Sequence, residues 1–123
     1  MCIFCSLPKK RIIRESKNFN VIRDLFPISD GHTLITSKGH FQYLDQLSEE
    51  FAEELWNLIR QTQKSLTEQY NCNGFNIGIN DGITAGQTIE HFHVHIIPRY
   101  SNDVKDPRGG IRWIIPEKAD YWT

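Results

Sequence analysis

The 123-residue sequence has little of what marks a membrane, secreted or nucleic-acid-binding protein. No segment approaches the roughly 20 apolar residues that a membrane-spanning helix needs, and the first residues lack the basic start and apolar run of a signal peptide. The formal net charge is only −1, which argues against nonspecific binding to nucleic acid. Internal repeats and linker-like tracts are also absent. We therefore expect one globular domain over residues 1–123, located in the cytoplasm.

Cysteine is scarce, with three residues in the whole chain. In a reducing cytoplasm these residues would stay as thiols, so a disulfide between Cys2 and Cys5 is the less favoured interpretation. The Cys2-x-x-Cys5 spacing instead favours metal ligation, and Cys72 is left as a spare thiol.

Histidine, by contrast, is concentrated in one place. Three of the five histidines occur in the run His91-Phe92-His93-Val94-His95. Successive side chains of a β-strand point to opposite faces, so the three imidazoles are predicted to share one face and the apolar residues between them the other. Imidazole suits nucleophilic attack, proton transfer and metal ligation, because its ordinary pKa lies near neutrality.

Two simpler interpretations compete for this stretch, namely a shared metal ion and three exposed histidines on an ordinary half-buried strand. At a rise of about 3.3 Å per residue, His91 and His95 lie roughly 13 Å apart, which is too far for both to bind one zinc ion. At most an adjacent pair shares an ion, so at least one histidine has another task.

The rest of the sequence predicts short strands and one long helix. Alternating or β-branched runs predict five strands, at residues 11–15, 19–23, 32–36, 75–80 and 91–98. Apolar residues recur at helical spacing from Ser48, a candidate N-cap, to about Tyr70, and the run Asn71-Cys72-Asn73-Gly74 ends the helix. We predict an α+β domain with about five antiparallel strands, one long helix and a short N-terminal turn. Residues 111–115 predict a further extended segment with Trp113 exposed.

The connection before the histidine strand, residues 81–90, has the composition of an anion-binding loop. Gly82 and Gly86 let backbone N–H groups approach an anion closely. Asn80, Gln87 and Thr88 add side-chain donors. An ordinary hairpin turn has similar glycines, but the neighbouring histidines favour a phosphate pocket beside His93.

The flanks of the histidine run carry a family resemblance. The run, preceded by Gly86-Gln87-Thr88, is similar to the signature of the histidine triad (HIT) family, and the match continues upstream through Asp24, His32 and Lys38-Gly39-His40. It covers roughly residues 1–100 in the right order and spacing. The resemblance implies the HIT fold, which usually dimerises by joining two sheets. One departure is the short segment after Cys5, where relatives commonly carry a helix.

The resemblance also implies roles for the site residues. In the family the middle histidine, here His93, attacks the α-phosphorus of a nucleotide, and water then hydrolyses the nucleotidyl-histidine without a catalytic metal. Asp24 would accept the ribose hydroxyls, with a turn-forming aspartate as the alternative, and His32 would support the triad or be merely structural. The implied catalytic residues are His91, His93, His95 and Thr88, and the implied substrate contacts are Asp24, Asn80, Gln87, Thr88, His93 and His95.

The resemblance assigns zinc to a second set of residues. In bacterial-type relatives with the same cysteine spacing, both cysteines bind one zinc ion with the Lys-x-His histidine and the first triad histidine. The corresponding residues here are Cys2, Cys5, His40 and His91. Two thiolates and two imidazoles form a closed tetrahedral shell, which is typical of structural rather than catalytic zinc. The alternative is that Cys2 lies too near the terminus to be ordered.

We therefore expect a nucleotide hydrolase that acts on a purine nucleotide and forms a homodimer, with neither nucleic acid nor membrane as a partner. The loop resembles the fragile-histidine-triad branch, which cleaves dinucleoside polyphosphates such as diadenosine tetraphosphate, whereas Asp24 and the paired cysteines are closer to the phosphoramidase-like groups. Dinucleoside polyphosphate hydrolysis is the favoured activity. The alternatives are nucleoside phosphoramidate hydrolysis, nucleotidyl transfer or phosphorolysis, and a purine-nucleotide-binding or zinc-stabilised interaction module with little turnover. Arg99, Arg108 and Arg112 are equal candidates to contact a polyphosphate.

Overall fold

A computed structural model describes residues 2–123, which form five strands and one long helix. The strands are β1 (Ile12–Glu15), β2 (Phe19–Arg23), β3 (Thr33–Ser37), β4 (Gly74–Gly78) and β5 (His93–Arg99), and the helix α1 is Glu50–Tyr70. All neighbouring strands are antiparallel, in the order β1-β2-β3-β5-β4. The predicted α+β class, with its antiparallel sheet and single long helix, is confirmed.

Helix α1 covers one face of the sheet because its apolar residues lie along one side. Leu55, Leu58 and Leu66 are buried and pack with Val94 and Ile96 of β5 in the main core. The helix ends as predicted, at Asn71, whose left-handed backbone (φ 56°, ψ 40°) closes the last turn.

The helix start differs from the prediction. Glu49, not Ser48, occupies the cap position, and it makes no side-chain cap hydrogen bond. Ser48 contributes its backbone carbonyl, which accepts the Phe51 N–H at 3.0 Å. The helix is therefore assigned one residue later than predicted and the Ser48 cap is not confirmed, although the backbone at Glu49 is already helical (φ −59°, ψ −33°).

Strand β5 begins at His93 rather than at the predicted His91. The His91 N–H donates to the Ile89 carbonyl at 2.8 Å, so the chain makes a tight turn there instead of pairing with β3. Strand β4 ends at Gly78, two residues early, and it is an edge strand, which explains why Ile77 is 40% exposed. The separation of faces is confirmed, since Phe92, Val94 and Ile96 are buried in the core beneath α1.

The opposite face of the sheet carries the histidines and is covered by the N-terminal segment. A second apolar cluster joins Phe4 to Ile22 of β2 and Leu34 of β3, with Leu7 and Ile12 packed against it. The short turn predicted after Cys5 is present as a 3-10 helix at Lys9–Arg11, where the Arg11 N–H donates to the Pro8 carbonyl at 3.0 Å. The sheet therefore lies between α1 and the first residues of the chain.

The C-terminal segment contradicts its prediction. Residues 111–115 were expected to be extended, but Gly110–Ile114 is a 3-10 helix. Gly109 (φ 93°) and Gly110 (φ 45°) turn the chain into it through a backbone conformation that favours glycine. Trp113 is 47% exposed, as predicted. Across residues 2–123, no helix combines the length and apolarity needed to cross a membrane.

Candidate active site

His93 lies at the centre of the histidine face, directly opposite Thr36 of β3. The residue is only 7% exposed, and its Nδ1 lies 2.8 Å from the backbone carbonyl of His91. A carbonyl only accepts, so Nδ1 carries the proton and donates it. The neutral ring then has its lone pair on Nε2. This tautomer leaves a nucleophilic nitrogen, with the other nitrogen already hydrogen-bonded.

His95 receives its orientation from His32, which lies just before β3. The Ile28 N–H donates to Nδ1 of His32 at 3.2 Å, so the His32 proton is on Nε2. That nitrogen lies 2.9 Å from Nδ1 of His95 and donates to it. By the same reasoning the His95 proton is on Nε2. We call these two residues the His32–His95 pair.

The His32–His95 pair is held in its neutral form. Burial, followed by the neighbouring charges of His93 and His32, lowers the pKa of His95 to about 4. Burial also lowers the pKa of His32, and the carboxylate of Asp24 only partly opposes this shift. At neutral pH the pair therefore transmits a hydrogen bond rather than a charge.

Asp24 lies beside the His32–His95 pair rather than alone on the surface. One carboxylate oxygen accepts the Phe26 N–H at 2.8 Å, and the other lies 3.5 Å from Nε2 of His32. Leu25 and Phe26, the next two residues, are 63% and 84% exposed. An acceptor with exposed apolar neighbours is suited to a nucleoside, whose ribose is polar and whose base is apolar. The contact of Asp24 with ribose stays a prediction.

Two sulfur and two nitrogen atoms lie close together on the side of His93 away from the His32–His95 pair. The donor atoms of Cys2, Cys5, His40 and His91 all lie within 4.8 Å of one another. We call this set the thiol–imidazole cluster. Nδ1 of His91 is 3.3 Å from the Cys2 sulfur and 3.2 Å from Nδ1 of His40, and the Cys5 sulfur is 3.2 Å from the same His40 nitrogen. The structure thus brings together the four predicted metal ligands.

The geometry of the thiol–imidazole cluster fits zinc. A tetrahedral ion with ordinary bond lengths separates sulfur from nitrogen by about 3.6 Å and nitrogen from nitrogen by about 3.3 Å, close to the spacings found here. Nε2 of His91 donates to the Ser37 carbonyl at 2.6 Å, which turns the lone pair of Nδ1 toward the cysteines. Such a hydrogen bond is the usual support of a metal-binding histidine.

Gln87 has a different environment from the one expected of a phosphate donor. Its side chain is buried, and its carbonyl oxygen accepts the Gly82 N–H at 2.9 Å. Its amide nitrogen donates to the carbonyls of Gln42 and Ile89 at 3.2 and 3.1 Å. Both amide protons are thereby used, so in this conformation Gln87 braces the loop from inside. Gly82 (φ 99°) gives that loop its turn.

The other predicted loop donors are accessible. Thr88 and Asn80 are both exposed, and Asn80 lies with His95 on the wall of a cavity of about 980 Å³. Arg99, Ile111 and Trp113 also line this cavity. Strands β4 and β5 and the C-terminal segment therefore shape the space next to His95.

Of the three arginines considered for a polyphosphate, Arg99 alone lines that cavity within the described residues. It forms a two-pronged ion pair with Asp103, at 2.8 and 2.9 Å. Arg108 is paired with Asp106, and Arg112 donates to the Lys118 and Ala119 carbonyls. The tertiary structure thus distinguishes Arg99 from Arg108 and Arg112, which the sequence left as equal candidates.

Sequence reasoning missed Phe4, which is 3% exposed and packs edge-on against His93, with ring centroids 5.1 Å apart. It also missed three backbone groups that set histidine tautomers. They are the Ile28 N–H, the Ser37 carbonyl and the His91 carbonyl, which bond to His32, His91 and His93. The position of Phe4 between Cys2 and Cys5 was the one available signal. Backbone groups carry no sequence signal at all.

Comparison with known proteins connects this geometry to a family. The HIT domain model matches residues 7–102. An uncharacterised HIT-like protein of Methanocaldococcus jannaschii is 36% identical over 110 residues, covering 84% of this chain and 82% of that protein. The bis(5'-adenosyl)-triphosphatase of Dictyostelium discoideum is 35% identical over 101 residues, covering 77% and 68%. A crystal structure of a zinc-bound histidine triad family protein from Mycobacterium smegmatis matches with a TM-score of 0.75 at 33% identity, covering 83% and 77%.

Proposed function

The chain belongs to the HIT domain family, and from this premise we propose that it hydrolyses nucleotides at the α-phosphate through a nucleotidyl-His93 intermediate. The observation that supports this most directly is the tautomer of His93. Its Nδ1–H is bonded to the His91 carbonyl at 2.8 Å, so Nε2 has a free lone pair for attack on phosphorus.

In the first step Nε2 of His93 forms a bond to the α-phosphorus as the bond from phosphorus to the leaving-group oxygen breaks. The imidazole becomes positively charged, and the His91 carbonyl stabilises that charge through Nδ1–H. In the second step water forms the new oxygen–phosphorus bond and loses a proton to solvent, while the phosphorus–Nε2 bond breaks and its electron pair returns to Nε2. The products are the leaving group released in the first step, a nucleoside monophosphate and the regenerated histidine.

His95 and the loop donors supply electrostatic stabilisation in this scheme. The Nε2–H of His95 donates to a phosphoryl oxygen, because its Nδ1 is occupied by His32. Thr88 and Asn80 are free to add hydrogen bonds, and Gln87 holds the loop in shape. A well-placed donor to developing charge is worth about 3–4 kcal/mol. Asp24 accepts the ribose hydroxyls of a purine nucleotide.

We propose dinucleoside polyphosphates, such as diadenosine tetraphosphate, as the substrate class. The similarity to the bis(5'-adenosyl)-triphosphatase supports this choice, as does Arg99 on the wall of the cavity that reaches His95. The test is kcat/KM for diadenosine tetraphosphate against a nucleoside phosphoramidate under identical conditions. A higher value for the phosphoramidate would assign the chain to the other branch, and transfer to added phosphate would make it a phosphorylase.

The covalent step has its own test. Two in-line displacements at phosphorus give net retention, whereas direct attack by water gives inversion. Hydrolysis of an α-phosphorothioate substrate in oxygen-labelled water should therefore retain configuration. Rapid quenching should also add the mass of a nucleotidyl group to the peptide that contains His93. Inversion would eliminate the two-step mechanism.

We propose that the thiol–imidazole cluster holds one structural zinc ion, which would crosslink the N-terminus to the chain just before β5. Its full set of four protein ligands supports a structural role, and the two-step chemistry above uses protein groups alone. The thiols would be kept available for the ion in the reducing cytoplasm, where we propose the protein acts. Metal analysis of the purified protein should find about one zinc ion per chain.

We also propose a homodimer. Strand β4 is at the edge of the sheet, and its Ile77 is 40% exposed. Ile111 and Ile114, which line the same cavity as Ile77, are 69% and 76% exposed. A free edge with apolar neighbours is a ready surface for pairing with a second copy. Sedimentation velocity should give a species of twice the chain mass, and Ile77→Lys should convert it to the monomer.

A further inference from the structure

Phe4 is the side chain that connects the thiol–imidazole cluster to His93. It lies in the turn between Cys2 and Cys5, which the Cys5 N–H to Cys2 carbonyl bond of 3.2 Å closes. The ring points inward and is 3% exposed. It meets His93 edge-on, with centroids 5.1 Å apart and an interplanar angle of 67°, and it meets His91 at 5.7 Å and 82°. Such edge-to-face contacts are favourable for aromatic rings.

The second support of His93 also comes from the cluster. Nδ1 of His93 donates to the His91 carbonyl at 2.8 Å, and His91 is itself a member of the cluster. One hydrogen bond does not orient an imidazole ring fully, because its outer torsion is broad. The Phe4 ring restricts the rotation that this bond allows. The His95 ring also packs edge-on against His93, with centroids 5.2 Å apart, but the hydrogen bond and the Phe4 contact both come from residues that the cluster holds in place.

We propose that Phe4 is a positioning residue, which transmits the order of the thiol–imidazole cluster to the His93 ring and keeps Nε2 aimed at phosphorus. This inference rests on the proposed function and adds to it a consequence for the metal. An ion bound by Cys2 and Cys5 then acts on turnover through the side chain between them. Since misplacement of a reacting group by about 1 Å costs roughly 100-fold in rate, the effect should be measurable.

The first experiment compares Phe4→Ala with Leu7→Ala. Leu7 packs in the same apolar cluster but lies outside the Cys2–Cys5 turn. We expect Phe4→Ala to lower kcat by about tenfold to 100-fold with KM within threefold, and Leu7→Ala to leave kcat within threefold. Equal values of kcat in the two variants would overturn the proposal, as would a rise in KM alone, which would make Phe4 a nucleotide contact. If Phe4→Ala does not fold, Phe4→Leu carries the same comparison with an expected loss of about threefold to tenfold.

The second experiment needs no turnover. Diethyl pyrocarbonate modifies accessible imidazoles, and His93 is only 7% exposed under Phe4. Mass spectrometry should show modification of His93 several-fold faster in metal-loaded Phe4→Ala than in wild type, with no such change in Leu7→Ala. An unchanged rate would overturn the proposal. If the wild-type protein hydrolyses no nucleotide, the proposed function fails, whereas this measurement still tests Phe4.

The third experiment tests transmission from the cluster. Cys5→Ser should lower kcat and expose His93, and Cys72→Ser, at a cysteine outside the cluster, should change neither. If the cluster acts through Phe4, the double variant Cys5→Ser with Phe4→Ala should have a kcat close to that of the more impaired single variant. Losses that multiply would show that the two residues act independently and would overturn the coupling.

Discussion

His91 and His95 lie on either side of His93, and the difference between them is the partner of Nδ1. Nδ1 of His91 faces the Cys2 sulfur at 3.3 Å and Nδ1 of His40 at 3.2 Å. Nδ1 of His95 faces Nε2 of His32 at 2.9 Å. Two residues of one type, four positions apart, are therefore suited to different tasks. The first is ready to bind a metal ion, and the second is ready to donate a hydrogen bond to substrate.

The two sides are also built from different parts of the chain. The thiol–imidazole cluster is supplied by the N-terminal turn, by His40 after β3 and by His91 before β5. The His32–His95 pair is supported by the connection between β2 and β3, through Ile28 and Asp24. Because the supports do not overlap, each side can be disturbed separately, and the resulting defects should differ in kind.

The largest effect is expected where the two sides meet. His93→Ala removes the nucleophile but few contacts made by bound nucleotide, so turnover should fall by at least about 1,000-fold while nucleotide affinity stays within about tenfold. Steady-state kinetics and calorimetry measure the two quantities. His93→Gly should regain activity with added imidazole. Retention of more than a few per cent of kcat in pure His93→Ala would exclude covalent catalysis by this residue.

The next largest effect is expected from disturbing the His32–His95 pair. His32→Ala leaves Nδ1 of His95 without a donor, so kcat should fall by about tenfold to 100-fold, comparable with the loss of other residues that orient a functional histidine. The amide of His32→Gln provides an N–H in a similar place and should recover most of that loss. Zinc content should be unchanged in both variants. Equal kcat in His32→Ala and His32→Gln would mean that the hydrogen bond to His95 has no role in turnover.

Disturbing the thiol–imidazole cluster should act on metal content and stability in addition to kcat. His40→Ala removes one of four ligands, so bound zinc should fall well below one per chain and the melting temperature should drop by roughly 5–10 °C. Elemental analysis and calorimetry check both values, with Cys72→Ser as the control that retains zinc. Full zinc occupancy in His40→Ala would show that this residue is not a ligand.

A smaller effect is expected from pH. Because the pKa of His95 is lowered to about 4 from an ordinary 6.5, the unfolded chain takes up a proton at a higher pH than the folded one. Stability should therefore fall as the pH is lowered from 6.5 to 4, and His32 acts in the same direction. The contribution of His95 is on the order of 1 kcal/mol, since its half-buried ring is partly screened. Unfolding curves of His95→Gln should show a shallower dependence over this range, and an identical slope would contradict the assignment.

The smallest effect is expected at Thr36, the cross-strand neighbour of His93. Its hydroxyl is buried and has no hydrogen-bond partner within residues 2–123. Thr36→Val keeps the shape and removes an unsatisfied polar group, so the melting temperature should stay equal or rise by about 1–3 °C, with kcat within threefold. A large loss of kcat would instead show that this hydroxyl acts on His93.

Much of the fold was predictable because its signals are local. The period of two over His91, His93 and His95 put the imidazoles on one face, and the helical spacing that ends at Asn71 defined α1. Boundaries were less accurate, as at Ser48 and His91, because they depend on which backbone groups find partners. The extended segment predicted for residues 111–115 was wrong, since Gly109 and Gly110 turn the chain into a 3-10 helix.

The same distinction between local signals and tertiary partners applies to the site. The sequence by itself determined the candidates, because the strand period put three histidines on one face and the resemblance to the HIT family implied which side chains are nucleophile, metal ligands and phosphate donors. Only the tertiary structure decided how each is used. The Ile28 N–H sets the tautomer of His32, which in turn sets that of His95. The carbonyls of Ser37 and His91 set the tautomers of His91 and His93. The proposed orientation of His93 depends on Phe4. These partners come from distant segments or from the backbone, and folding alone brings them within hydrogen-bonding or packing distance.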